Sequence, residues 1–414
     1  MNRGPAELSS SMPAAARAEA IRLLLAFVRA MHIHGAPAHR LEREAGAVAT
    51  RLGIQASFFS TPTMLLASFG DDDATAETHV LRVQPGAVNL GVLAELDALG
   101  AAMQAGALPI AEAQERARQL TVPRSLGSRW SLALAGGVAS LSAAALMGGG
   151  AAELLTAGAI GVGQAALGLG GRRFEAMARL QLVLAGLLSA SVAGAVATQT
   201  PLALTLVTVA GLISHVPGLS LTVAMTELAT QHLASGSART FDALTTLAQL
   251  AFGALVGAAL AAHAGAPLIH TLAANEALPA TAAGLAGGIA FARLLEARRA
   301  DFPVVVAAAV AALWAARFGE STVGGVPGVA LASTFVGVVG NAFARFRRQA
   351  ASLVLIPGIL MLVPGSLGFR SLAELLAGDV IAGVSMAVQV AMVAMALAAG
   401  QIVAHAVVPP RRAL

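Results

Sequence analysis

Long apolar runs dominate the last two-thirds of the chain. From Trp130 onward they follow one another with only short polar segments between them. A membrane-spanning helix needs roughly 20 mostly apolar residues, so each run of about that length predicts a span. The pattern predicts ten spans, near 130–149, 152–170, 180–197, 201–219, 242–262, 278–294, 302–317, 325–344, 350–367 and 382–405. We therefore expect a polytopic α-helical membrane protein.

The first third of the chain follows a different pattern. Apolar positions at helical spacing predict helices over Ala14–His34, Ala38–Leu52, Asn89–Gln104 and Ala111–Leu120. Short runs of β-forming residues predict strands at Ile54–Ser60, Met64–Phe69 and His79–Val83. The expected organisation is a disordered tail over 1–13, a small cytosolic α+β domain over 14–125, and membrane halves over 126–264 and 265–414.

The charges divide the chain in the same way. Residues 1–129 carry 12 Arg and 12 acidic residues, which is half of the 26 basic and 22 acidic residues in 414. The basic residues form no patch, so the net charge of +4 does not predict nucleic-acid binding. The chain has no Cys, which excludes disulfides and thiol catalysis. Neither a nucleotide-binding loop nor a metal motif is evident, so no cofactor or metal is expected.

The distribution of Arg between loops predicts the orientation. With the N-terminus inside and ten spans, twelve Arg fall in the inside loops and the C-terminal tail. Only Arg317 and Arg370 fall in outside loops. Positive residues favour the cytoplasmic side, so both termini are expected in the cytoplasm. Because no secretory signal is evident near residue 1, we expect the N-terminal domain to stay in the cytoplasm. The expected location is the bacterial inner membrane, with multiple spans.

Two segments of the membrane part resemble each other. Each has Val-Pro-Gly, then a serine, and an acid ten residues after the proline: Val216, Pro217, Gly218, Ser220 and Glu227, then Val363, Pro364, Gly365, Ser366 and Glu374. Each motif belongs to the fourth span of a five-span group. Five is odd, so the groups would be inverted, as in many transporters, with the first motif inside and the second outside. A third Val-Pro-Gly at 326–328 lacks the acid, so the tripeptide alone is weak evidence.

The Pro-Gly pairs have two interpretations. A proline that breaks a helix exposes backbone N–H groups, which suit a carboxylate on the half that follows. Ser220, Thr222 and Ser366 stand where such groups would be capped. The motifs would then form a gate and a solute site. The alternative is that both are ordinary loops at the membrane surface.

Polar groups in spans are costly and usually functional. Glu153 begins the second span, His215 lies near the end of the fourth, and Asn341 lies within the eighth. With Glu227 and Glu374 they are candidates for solute binding or proton coupling. The alternatives are an acid at the aqueous edge for Glu153 and Glu227, a hydrogen-bonded interface residue for His215, and helix–helix contact for Asn341.

The order and spacing of several motifs resemble the threonine/serine exporter family over nearly the whole chain. The motifs are His34–Glu42, Gly53, Ser60–Thr63, Leu81–Val83 before Asn89–Leu90, Val216–Gly218 with Glu227 and Gly236, Gly340–Arg345, Leu362–Gly365 and Gly378–Asp379. Glu227 departs from the family pattern, in which this acid is an Asp. The resemblance implies the fused form of the family and export of small amino acids with the proton gradient. Split relatives are linked to dicarboxylate export.

The leading hypothesis is therefore a proton-coupled exporter of threonine and serine, not an enzyme, with the lipid bilayer, protons and the solute as partners. A dicarboxylate exporter is the alternative in the same class. A dianion would favour Arg near the centre of the membrane, where the predicted spans have none. An intramembrane hydrolase and a membrane sensor are alternatives of other classes, although no nucleophile and base pair is evident. Homo-oligomerisation stays open.

Overall fold

The computed structural model describes residues 13–70, 76–84, 86–122, 128–171, 174–266, 278–363, 365–376 and 379–410. Its N-terminal unit consists of helices α1 Ala14–Ile33 and α2 Ala38–Arg51, strands β1 Ala56–Thr61, β2 Met64–Phe69 and β3 Glu77–Arg82, and helices α3 Leu90–Gln104 and α4 Ile110–Leu120. These elements lie within two residues of the predicted ones, and the α+β prediction is confirmed. The predicted tail lies outside the described residues apart from Pro13.

The alternation of apolar residues determines how the sheet packs. The three strands form an antiparallel sheet in the order β1-β2-β3. In the central strand, Leu65, Ala67 and Phe69 are buried and alternate with less buried neighbours. They pack in one cluster with Leu24 and Phe27 of α1. Successive side chains of a strand point to opposite faces, so one face of the sheet covers the helices.

The membrane part is entirely helical among its described residues. Its helices are α5 Arg129–Leu146, α6 Ala151–Gly171, α7 Glu175–Ala197, α8 Leu204–Gly211, α9 Gly218–Ala229, α10 Leu233–His263, α11 Ala280–Leu294, α12 Phe302–Val323, α13 Gly325–Arg347, α14 Ser352–Leu362, α15 Gly365–Leu376 and α16 Val380–Val407. A 3-10 turn at Arg299–Asp301 precedes α12. Large apolar side chains such as Leu155, Phe252 and Ile381 are exposed on the outer surface, as expected for helices in lipid.

Within the described residues, eight segments are long and apolar enough to cross a membrane. The chain is thus a multi-pass helical membrane protein, and these segments correspond to eight of the ten predicted spans. The span predicted at 201–219 is a broken helix, α8 and α9, which extends to Ala229. The span predicted at 350–367 is among the eight, and it is interrupted between α14 and α15. At 278–294 the chain forms α11, an apolar helix of 15 residues that is shorter than those eight segments.

The packing of helices repeats between the two halves. Helix α5 packs on α6 as α11 packs on α12, and α7 packs on α10 as α13 packs on α16. The second piece of each broken helix packs on the last helix of its own half, α9 on α10 and α15 on α16. Each last helix also contacts the broken helix of the other half. This equivalence supports the five-helix repeat inferred from the Val-Pro-Gly segments.

Candidate functional site

The two broken helices cross at their Val-Pro-Gly breaks. A Cβ atom placed on Gly218 would collide with Cγ1 of Val363, and one placed on Gly365 would lie 2.7 Å from Cγ1 of Val216. Only a residue without a side chain permits this approach at either position. The two motifs therefore face each other inside the protein, which favours broken helices over separate surface loops. Pro364 lies outside the described residues.

The broken helices run in opposite directions relative to the N-terminal unit. The first ends there, because Glu227, near the end of α9, accepts a hydrogen bond from the backbone N–H of Ala38 at 2.9 Å. The second begins there, because Leu353, near the start of α14, packs with Leu90 of α3. When the fourth helices of two repeats run in opposite directions, the repeats are inverted relative to each other.

A cavity of about 1260 Å³ lies between the N-terminal unit and both membrane halves. The N-terminal unit contributes Arg43 among others, and the first half contributes Ser220, Thr222 and Asp242. The second half contributes Asn341, Ser352 and Gln401. The cavity thus combines polar groups from three parts of the chain, as a solute site between repeats would. Of the predicted site residues, Ser220 and Asn341 line it.

Glu227 is fully buried and does not line this cavity. Its Oε2 accepts hydrogen bonds from Oγ of Ser235 at 2.7 Å and from Nε of Arg239 at 3.0 Å. Its Oε1 accepts the N–H of Ala38, the first residue of α2. A carboxylate at the start of a helix also interacts favourably with the helix dipole. Glu227 therefore links α9, α10 and the N-terminal unit.

A second polar contact adjoins Glu227. The Glu42 carboxylate lies 3.4 Å from Nε2 of His232 and accepts the backbone N–H of Ser60 at 2.8 Å. The rings of His39 and His232 pack edge to face, with centroids 6.1 Å apart. Burial raises the pKa of Glu42. Burial, reinforced by the nearby charge of Arg43, lowers the pKa of His39 to about 3, so this histidine is neutral at physiological pH.

The charges around the cavity are largely paired. Arg40 binds Glu44 at 3.0 Å and Asp97 at 3.3 Å, and Arg239 binds Glu227. Burial and the charge of Arg239 lower the pKa of His32 to about 4, so it too is neutral. Among the described residues, the lining side chains Arg43 and Asp242 form no ion pair. The cavity wall therefore presents one basic and one acidic side chain, Arg43 and Asp242, outside these ion pairs, and Arg43 also interacts electrostatically with Glu44.

Glu153 connects the start of α6 to the first broken helix. It is 2% exposed, and its Oε2 accepts the N–H of Gly150 at 3.0 Å. Its Oε1 accepts the N–H of Ala203, the residue before α8, at 3.1 Å. One carboxylate thus caps two helix N-termini. This geometry favours a role in holding α8 over contact with the solute, because Glu153 does not line the cavity.

The other candidates lie apart from one another. His215 lies in the break between α8 and α9, where its Nδ1 is 3.2 Å from Oγ of Ser214. Asn341 is 1% exposed and donates to the carbonyl oxygen of Val408 at 2.8 Å. Glu374 and Ser366 lie half-buried on α15, beyond the crossing. The structure therefore brings only Ser220, Thr222 and Asn341 together at the cavity.

Several residues of the site were not predicted, among them Arg43, Arg239, Asp242, Ser352 and Gln401. The fifth span was predicted to begin at residue 242, whereas α10 begins at Leu233, so Arg239 and Asp242 belong to its first turns. A helical pattern from 233 onward would have placed Glu227 and Arg239 near one helix–helix boundary.

Comparisons with known proteins agree with this architecture. One family model, described as a threonine/serine exporter, matches residues 22–261, and a second, described as Threonine/Serine exporter, ThrE, matches residues 280–407. The chain is 23% identical over 375 residues to pheromone-regulated membrane protein 10 of Debaryomyces hansenii, covering 86% of this chain and 36% of that protein. It is 30% identical over 122 residues to the Candida albicans protein of the same name, covering 29% of this chain and 11% of that protein.

The chain spans about a third of the length of the Debaryomyces relative. No solved structure matches it.

Proposed function

Because the chain belongs to the threonine/serine exporter family, we propose that it exports threonine and serine from the cytoplasm as a proton-coupled secondary transporter. The observation that carries the proposal is the polar cavity between two inverted halves whose broken helices cross at Val-Pro-Gly. Such a crossing is a place where two packings of the same helices can alternate access to a central site.

The charges of the cavity support a zwitterionic solute. Arg43 suits a carboxylate and Asp242 suits an ammonium group, while the other acids and bases named at the cavity wall are paired or neutral. A dicarboxylate would meet the unpaired charge of Asp242. An amino acid with one charge of each sign fits this arrangement better than a dianion.

The N-terminal unit is proposed to lie in the cytoplasm with the C-terminal end, in a bacterial inner membrane. Pro410 lines the same cavity as the N-terminal unit, so both ends of the described chain lie on one side. The excess of Arg in the loops assigned to that side supports the cytoplasmic orientation. The cavity would then be reached from the cytoplasm, as export requires.

Transport into inside-out vesicles tests the proposal. Labelled threonine and serine should accumulate in vesicles that contain the protein, and a proton gradient should increase the initial rate. Vesicles without the protein are the control, and an uncoupler should remove the effect of the gradient. Accumulation of succinate without threonine or serine would support dicarboxylate export instead. Accumulation of none of the three would argue against the proposed function.

A further inference from the structure

Ser352 is a polar residue of the cavity wall whose hydroxyl is left without a partner. It is the first residue of α14 and only 2% exposed, and it lines the cavity. Its Oγ is buried and forms no hydrogen bond with any atom of the described chain. A buried hydroxyl without a partner is unfavourable, and such groups are uncommon in folded proteins. A bound solute would satisfy this hydroxyl.

Neighbouring donors are already engaged. The Thr222 hydroxyl donates to the carbonyl oxygen of Gly218 at 3.3 Å, and the Asn341 amide donates to that of Val408. The Gln401 amide donates to the carbonyl oxygen of Ser333 at 2.9 Å and to its Oγ at 3.1 Å. The Asn341 and Gln401 side chains thus connect separate segments of the second half, and the Thr222 hydroxyl is bonded within its own helix. The Ser352 hydroxyl has no such role, which leaves it for a ligand.

The position of Ser352 specifies the chemistry of that ligand. Helix α14 has 11 residues, and its N-terminus lies at the cavity, where Ala351 and Ser352 form part of the wall. The N-terminus of a helix carries partial positive charge and favours an anion. Arg43 lines the same cavity. A hydroxyl donor, a helix N-terminus and a cation together favour a carboxylate over an ammonium or an apolar group.

We propose that Ser352 and the N-terminus of α14 form the binding subsite for the carboxylate of the transported solute. This inference rests on the proposed function and deepens it. Helix α14 leads directly into the Val-Pro-Gly crossing, so a solute held at Ser352 is bound to one of the two broken helices. The solute therefore contacts an element whose packing the transport cycle is proposed to change.

The first test is a kinetic comparison of two serine variants in full-length protein. Ser352→Ala should raise the KM for threonine about tenfold, equivalent to about 1.4 kcal/mol, with a maximal rate within twofold of the wild type. Ser140→Ala is the matched control, because Ser140 is 0% exposed and its Oγ also lacks a partner, but it does not line the cavity. Its KM should not change. An unchanged KM in Ser352→Ala would overturn the inference while leaving the proposed function intact.

The second test measures binding directly, using the absence of Cys from the chain. Ser352→Cys introduces a single thiol of similar size, whose alkylation by N-ethylmaleimide can be followed by mass. Threonine should slow alkylation at least fivefold, whereas threonine amide, which lacks the carboxylate, should not. Protection by succinate and not by threonine would retain the carboxylate subsite and reject the proposed substrate. No protection by either carboxylate, or equal protection by threonine amide, would overturn the inference.

Discussion

At the scale of single residues, Glu227 carries more contacts than any other predicted candidate. Replacing it with Gln keeps the size of the side chain and removes the charge that Arg239 requires. Breaking a buried ion pair on one side costs about 3 kcal/mol, because the remaining charge stays buried. We expect Glu227→Gln to lower the thermal midpoint of the purified protein and to make the segment before Ala38 more sensitive to protease. Both are measured in detergent.

The matched control is Glu175→Gln, which makes the same change in an exposed pair. Glu175 binds Arg179 at 2.7 Å, but the two side chains are 82% and 74% exposed. Exposed pairs contribute about 0–1 kcal/mol, so this variant should behave like the wild type. Equal midpoints for Glu227→Gln and Glu175→Gln would contradict the assignment of Glu227 as the link between the N-terminal unit and the membrane part.

The burial of His32 predicts that the protein becomes less stable in acid. Its ring lies 3.1 Å from the carbonyl oxygen of Thr61, and burial lowers its pKa to about 4 from 6.5. Below pH 6.5 the unfolded state binds a proton that the folded state does not, so stability falls as pH falls from 6.5 toward 4, by at most about 1.4 kcal/mol per pH unit. The fall in thermal midpoint from pH 7.5 to 5.0 should be smaller in His32→Gln than in the wild type.

His79→Gln, on the more exposed strand β3, provides the comparison and should show the wild-type fall. His32→Gln also loses its contact with Thr61, which lowers stability at every pH. The quantity to compare is therefore the change in thermal midpoint between the two pH values. Identical falls in all three proteins would show that His32 does not contribute to acid destabilisation.

The sequence identified buried polar residues better than it identified their partners. Glu227, Glu153 and Asn341 were selected because they lie in apolar surroundings, and they are 0%, 2% and 1% exposed. Each has a hydrogen-bond partner far along the chain, at separations of 189, 50 and 67 residues. Local pattern contains no information on such pairs. The structure therefore favours a role in holding helices over contact with solute for Glu227 and Glu153, which do not line the cavity.

At the scale of elements, the sequence identified the Val-Pro-Gly segments but not the lengths of the helices on either side of them. The pieces of the first broken helix have 8 and 12 residues, each shorter than a span. When hydropathy is averaged over a window as long as a span, two short helices are read as one. The predicted span then ends near the break, and the second helix is missed. The proline and the glycine were the only local signals that two helices meet there. In addition, the two Val-Pro-Gly motifs can cross only if the two halves are inverted relative to each other.

Gly365→Ala should lower the transport rate severalfold. The added Cβ would lie 2.7 Å from Cγ1 of Val216, closer than real contacts allow, so the crossing must open. Overpacking of this kind costs typically 1–3 kcal/mol. Adding Val216→Ala removes the colliding atom and should restore most of the rate. Gly163→Ala is the control, because its Cβ would meet Leu188 at an ordinary 3.5 Å. Failure of Val216→Ala to restore transport would argue against a tight crossing.

At the scale of the whole molecule, the N-terminal unit forms a wall of the cavity, which composition and periodicity did not predict. Beside the apolar packing of Leu90 with Leu353, it is attached by polar contacts. These join Ala38 to Glu227, Asn89 to Glu296 at 2.7 Å, and the N–H of Leu90 to the carbonyl oxygen of Leu295 at 2.8 Å. Polar interfaces between domains of one chain resemble transient ones and permit relative motion. A solute that enters from the side of this unit must pass it, so the unit should move during transport.

Linking the N-terminal unit to α10 tests whether that motion is needed. His39 and His232 face each other across the interface, just before the start of α10, and the chain contains no Cys. In the double variant His39→Cys and His232→Cys, a short bismaleimide should join the two positions. If the unit must move away for each solute molecule, the linked protein should transport threonine at least tenfold more slowly than the same variant before linking. Each single variant treated with the same reagent controls for modification alone and should retain its rate.

A disulfide formed by oxidation gives a reversible form of the experiment, in which a reductant should recover transport. Unimpaired transport by fully linked protein would mean that solute reaches the cavity past a stationary N-terminal unit, and that the unit is a fixed part of the binding site.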